Sequence, residues 1–141
     1  MRQRISRIKV TAPQKGLSDI TPDIKSWMAD NGILTGLLCI WCAHTSTSLI
    51  VHANADAEVV SDLQNFFDRL VKTDSGSYEH AAQDPENMAA HIRSSLTSSQ
   101  LTIPVENGAL PLGKAQSIYL FEHRSDHRVR ELILHFIGEC E

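Results

Sequence analysis

Residues 39–56, CIWCAHTSTSLIVHANAD, bring two cysteines, two histidines and four hydroxyl side chains into one apolar stretch. Three chemistries are open to such a set: a metal site, a nucleophile with its base, or a buried strand with a polar end. Cys39 and Cys42 are separated by Ile40 and Trp41. On a strand, residues three apart point to opposite faces, whereas a redox or zinc pair needs both sulfurs to converge. Both cysteines are therefore expected to be core thiols. His44 ends the apolar run and is followed by Thr45, Ser46, Thr47 and Ser48. A serine nucleophile with a histidine base also needs an orienting group and an oxyanion hole, which sequence neighbours do not supply. A metal at His44 needs partner imidazoles. His80 lies in a loop, and His91 lies on a helix three residues after Met88 and one before Ile92, flanking the apolar stripe. Three neutral imidazoles with an open fourth position make a catalytic zinc-type pattern.

The other polar groups divide less sharply. His135 alternates within a strand pattern and His52 has no evident partner. His123, Arg124, His127, Arg128 and Arg130 form a basic cluster. It reads either as a solvated hairpin end or as a phosphate-binding rim, since arginine matches phosphate oxygens. Asp84, Glu106 and Glu122 are candidate proton carriers. Neither a Gly-rich phosphate loop nor a dinucleotide fingerprint is present.

These residues must be placed by the elements around them. RISRIKV reads as a strand. ITPDIKSWMADNG reads as a helix, with Thr21 as cap, Pro22 at the first position and Gly32 past the end. ILTGLLCIWCA is a long apolar run and SLIVHA a further strand. NADAEVVSDLQNFFDRLV is the clearest helix: Asn54 or Asp56 caps it, and Val59, Val60, Leu63, Phe66, Phe67, Leu70 and Val71 recur at helical spacing. After the loop KTDSGSYEHAAQDP, a shorter helix runs from about Glu86 to Leu96. LTIPV, a turn at Asn107-Gly108, QSIYLFEH and VRELILHFI complete a β-rich final third. Pro104 suggests an edge strand. The order implies a single α+β domain over residues 1–141, with largely antiparallel sheet and about three helices.

Composition narrows the classes. A chain of 141 residues, 42% hydrophobic and 21% charged, suits one ordinary globular domain. The net charge of −4 argues against a nucleic-acid binder, and no apolar run reaches the length of a membrane span. The start is too polar for a secretory signal, and three cysteines fit a reducing compartment. A cytoplasmic protein is expected.

HTSTSL at 44–49, NAD at 54–56, YEH at 78–80, ENMAAHIRSSL at 86–96, TIPVENGAL at 102–110 and IYLFEHR at 118–124 together resemble the YjbQ family, the secondary thiamine-phosphate synthase family. The resemblance spans nearly the whole chain in order. It implies a compact α+β fold assembled as a homotrimer, with a metal, expected to be zinc, on His44, His80 and His91. It also implies weak thiamine-phosphate synthase activity, in which a pyrimidine methyl diphosphate alkylates a thiazole phosphate nitrogen. Ala53 and Ala115 stand where the family usually carries Glu and Trp, so weak turnover is expected.

The expected function is therefore that of a metal-binding transferase taking small phosphorylated substrates. Arg124 would neutralise phosphate, Gln116 would donate a hydrogen bond and Glu106 would carry protons. The alternatives are a metal-dependent hydrolase of a small phosphorylated or acyl metabolite, and a non-catalytic metal-binding protein.

Overall fold

Alternation in the N-terminal stretch makes β1 (Arg2–Ala12), whose inward residues Ile8, Val10 and Ala12 reach the core. The computed structural model describes residues 1–54, 56–73, 76, 78–80, 84–126 and 128–141, with residue 85 through its backbone alone. The further elements are β2 (Gly16–Asp19), α1 (Thr21–Asp30), β3 (Ile33–Cys42), β4 (Thr47–Ala53), α2 (Ala57–Leu70), α3 (Pro85–Leu96), β5 (Gln100–Val105), β6 (Gln116–Glu122) and β7 (Arg128–Cys140). The strands form two antiparallel sheets, ordered β1-β7-β3-β5 and β2-β6-β4.

The core lies between the sheets. Leu38, Ile40, Leu132, Leu134 and Phe136 from the larger sheet meet Leu49, Ile118 and Leu120 from the smaller, and α1 adds Ile24, Trp27 and Met28. β6 is buried on both faces, which is why it reads as a continuous apolar run. Its Phe121 turns away from the sheet-sheet core and meets Phe67 of α2 edge-on, with ring centroids 5.2 Å apart. The α+β class with three helices and antiparallel sheet is as expected, and β5, carrying Pro104, is an edge strand paired only with β3.

Several local expectations change. Thr21 is the first residue of α1 and not its cap, because its Oγ1 accepts the Ile118 N–H at 2.8 Å. Asp56, one of two candidate caps, accepts the Val59 N–H and starts α2. The apolar stripe of α2 does not become core: Phe66 and Leu70 are about half exposed, since short β2 and β6 cover only part of it. Cys42 is buried but Cys39 is half-buried, on the outer face of the larger sheet. Most consequentially, β6 and β7 follow each other yet belong to different sheets. The basic run after β6 is therefore a crossover between sheets, not a hairpin end. Its His127 lies outside the described residues.

Candidate functional site

The chain crosses from the larger sheet to the smaller between Cys42 and Thr47, and this corner carries His44. A buried ion pair holds the corner in place. Arg130, at the start of β7, donates from Nε and Nη2 to both carboxylate oxygens of Glu122, at 2.8 and 2.6 Å. The same Nη2 donates to Ser46 Oγ at 2.9 Å, and Thr47 Oγ1 donates to Glu122 Oε2 at 2.5 Å. Both charged groups are almost wholly buried, so each depends on the other and on these hydroxyls for its polar partners. Ser46 and Thr47 are thus structural donors and acceptors, committed to the ion pair.

His44 is fixed by the next strand. Its Nε2 accepts the backbone N–H of Glu131 at 2.8 Å. An imidazole that accepts at Nε2 carries its proton on Nδ1. Burial holds the ring below its ordinary pKa of 6.5, helped by the positive charge of Arg130 and opposed by Glu122 and Glu131. His44 is therefore a neutral ring with one N–H to give.

α3 brings the second imidazole. His91 Nδ1 donates to the Thr45 carbonyl at 2.9 Å, joining the helix to the residue after His44. This leaves the Nε2 lone pair of His91 free for a ligand. His44 and His91 open onto one hollow of about 450 Å³, with Thr45, Ser94, Ser95 and Ser99. A second hollow of about 510 Å³ shares His44, Thr45 and Ser99 and extends to Trp41, Cys42, Ser46 and Arg130. Together they form a cleft rich in hydroxyls, with the Arg130–Glu122 ion pair beneath it. Cys42 adds no nucleophile there, since burial pushes its thiol up to about 11.

The remaining expected residues lie elsewhere. His80 is exposed in a turn between α2 and α3 and is not among the described residues lining the cleft. Glu106 is exposed at the Asn107-Gly108 turn, bridged to Ala109. Gln116 lines a separate hollow with Lys25, Asn54 and Lys114, and its Oε1 accepts the Gly113 N–H. Arg124 is held by Asp84 and Asn87, at 2.9 Å each, and by Asp126. That contact keeps the Asp84 carboxyl below its usual range. The basic cluster is split accordingly: His123 and Arg130 are buried, while Arg124 and Arg128 are paired with carboxylates.

Among the described residues, no three His, Cys, Asp or Glu side chains converge as a metal set. His91 has the pattern of a ligating imidazole, its other nitrogen fixed by a carbonyl. His44 as placed has not, because its lone pair faces the Glu131 N–H. The three-histidine set does not fit an ion in this arrangement. Sequence reasoning named Arg130 only within the basic cluster and missed Ser94, Ser95 and Ser99. The signal available was the run RSSLTSS at 93–99, which puts four serines shortly after His91 in the chain.

Residues 6–139 match the family model of UPF0047 protein YjbQ-like. UPF0047 protein sll1880 of Synechocystis is 39% identical over 138 residues, covering 98% of this chain and 94% of that protein. UPF0047 protein YjbQ of Escherichia coli O157:H7 is 35% identical, covering 94% and 96%. A crystal structure of a conserved hypothetical protein from Thermus thermophilus superposes with a TM-score of 0.83 at 30% identity, covering 94% of this chain and 99% of that one. With nearly its full length matched in sequence and in fold, the chain belongs to the YjbQ-like UPF0047 family.

Proposed function

We propose that this chain is a transferase that joins a pyrimidine methyl diphosphate to a thiazole phosphate, with the cleft between His44 and His91 as its substrate site. The observation that carries the reading is that the corner after β3 and helix α3 deliver these two histidines to one hydroxyl-lined cleft. In the reaction, the thiazole nitrogen forms a bond to the pyrimidine methylene as its C–O bond to diphosphate breaks, and the electron pair leaves on the diphosphate. No proton is removed, so the step needs charge stabilisation and not a base. His44 supplies an N–H, and Thr45, Ser94, Ser95 and Ser99 supply hydroxyls, for phosphate oxygens. Arg130, its charge balanced by Glu122, holds the corner that presents His44 and Thr45 to the cleft.

A zinc-class ion is a separate element of the proposal. It requires the His44 ring to turn away from Glu131, so that its lone pair and that of His91 face one point, with His80 as third ligand. When bound, such an ion supplies Lewis-acid charge at a phosphoryl oxygen. The chain is further proposed to act as a cytoplasmic homotrimer. Supporting this, the outer face of the larger sheet leaves Leu37, Trp41 and Ile137 between 41% and 50% exposed, with Ile5 and Val129 beside them. Apolar residues in register on one sheet face are suited to burial between copies. No described helix is long and apolar enough to cross a membrane, and all three cysteines are free.

The test is to incubate the protein, with and without added zinc, with hydroxymethylpyrimidine diphosphate and thiazole phosphate and to follow thiamine phosphate. Product is expected from the wild type and should fall at least tenfold in His44→Ala, the loss of one charge-assisted contact, and fall also in His91→Ala, which removes the contact tying α3 to Thr45 at the cleft. Wild-type rates in both variants would place the activity elsewhere.

A further inference from the structure

On the far side of α3 from the cleft lies a second, smaller cavity of about 90 Å³. It is lined by Lys15, Gly16, Gln64, Phe67, Asp68, Arg93, Phe121 and His123. Arg93 and His91 are two residues apart, or roughly 200° around the helix, so they serve opposite faces. The cavity has two features that packing alone does not explain. Arg93 is 2% exposed, yet of its three nitrogens only Nη2 is engaged, donating to the Val71 carbonyl at 2.7 Å and lying 3.5 Å from Asp68 Oδ1. Among the described residues, its Nε and Nη1 are buried with no partner. His123 is fully buried, and its Nδ1 likewise has no partner among the described residues. Unsatisfied buried donors are costly, more so when the group is charged.

The neighbours decide what these atoms are. His123 Nε2 lies 2.9 Å from Ser48 Oγ, and Thr97 Oγ1 lies 2.5 Å from that same oxygen. Thr97 Oγ1 has one hydrogen, for which the Arg93 carbonyl at 3.0 Å competes with Ser48. Where it goes to Ser48, the Ser48 hydrogen is left for His123 Nε2 and the imidazole proton sits on Nδ1. Burial, with the charges of Arg93, Lys15 and Arg130, pushes His123 down to about 3, so the ring is neutral. The unpartnered guanidinium nitrogens are donors in any case, and His123 Nδ1 is a donor in that tautomer. The mouth carries Lys15 and Asp68, paired at 2.8 Å and partly exposed. Lys15 and Arg93 against Asp68 leave one net positive charge around the cavity. Phe67 and Phe121 form its apolar walls. The volume exceeds that of a single water site several-fold.

We propose that this cavity binds a small oxyanion of the size of inorganic phosphate, through Arg93 Nε and Nη1, His123 Nδ1–H and Lys15. The bound anion takes the hydrogen bonds that these groups lack, and Lys15 exchanges part of its contact with Asp68 for the anion. The site is distinct from the His44–His91 cleft and does not depend on the function proposed for it.

The experiment is titration of the protein with inorganic phosphate, read by the side-chain 15N resonances of Arg93 Nε and His123 Nδ1. Both are expected to move on one saturating curve in the wild type and in His44→Ala. Lys15→Ala, a change at a partly exposed position, should weaken binding by roughly tenfold, one charge-assisted contact. Arg93→Lys, which keeps the charge but not the directed donors, should abolish the movement at His123. Resonances that stay still at millimolar phosphate, or a Lys15→Ala curve identical to wild type, would overturn the proposal. So would a phosphate-grown crystal showing only ordered water in the cavity.

Discussion

Glu122 and Arg130 face each other across the gap between the two sheets, joined by two charge-assisted hydrogen bonds of 2.6 and 2.8 Å with almost no exposure to solvent. Because Ser46 and Thr47 bond to the same pair, it also fixes the corner that carries His44. Glu122→Gln keeps the side chain's size and removes its charge. The expected cost is about 3–5 kcal/mol, the range for leaving one buried charge uncompensated. Guanidinium unfolding measures it, and a loss under about 1 kcal/mol, ordinary for an exposed pair, would show the pair to be dispensable.

His123 predicts an acid limb to stability. Its folded pKa of about 3 lies below the ordinary 6.5, first through burial and then through the charges of Arg93, Lys15 and Arg130. As pH falls, the unfolded chain takes up this proton first. The contribution is therefore complete above about pH 6.5 and is lost progressively towards pH 3, at up to about 1.4 kcal/mol per pH unit. His123→Phe should flatten that limb by close to one proton. Unfolding free energies that keep the same slope in both proteins would assign the acid sensitivity to other groups.

Zinc should be retained at about one ion per chain if the proposed rearrangement of His44 occurs, because three protein ligands hold a catalytic-type ion. His91→Ala removes the imidazole already oriented by Thr45 and should lose it. Metal analysis after gel filtration reads this directly, and equal retention in the variant would remove His91 from any metal set.

Leu37 pairs with Ile137 across β3 and β7 at the centre of the exposed apolar face. Leu37→Glu should convert a particle of three 15.7 kDa chains into single chains by light scattering. A wild-type monomer at micromolar concentration, or a trimer untouched by the charge, would contradict assembly through this face.

Much of this fold is legible in local pattern. β1, β4, β5, β6 and β7 follow from alternation or apolar runs with turn residues between them, and Pro104 marks β5 as an edge. What local pattern does not carry is pairing. β6 and β7 look like a hairpin because they are adjacent, yet they join different sheets, and this is what buries Arg130 against Glu122. A charge in a basic run reads as solvated until its partner is known. The same holds for α2, whose stripe through Phe66 and Leu70 has the spacing of a core face but too little sheet beneath it. For the site, His44 and His91 are recognisable as candidates from residue type, and the Thr45 contact brings them together. Arg124, equally plausible from sequence, is occupied by Asp84 and Asn87 at the start of α3 and by Asp126 within the crossover after β6.

The central claim is that His44 and His91 serve one ligand in one cleft. Titration with inorganic diphosphate, the leaving group of the proposed reaction, tests it through the imidazole 15N resonances. The predicted result is that His44 and His91 move together on a single saturating curve, while His135, bonded to Gln3 on the outer sheet face, stays still. Movement of the two on different curves, or of neither, would contradict the account.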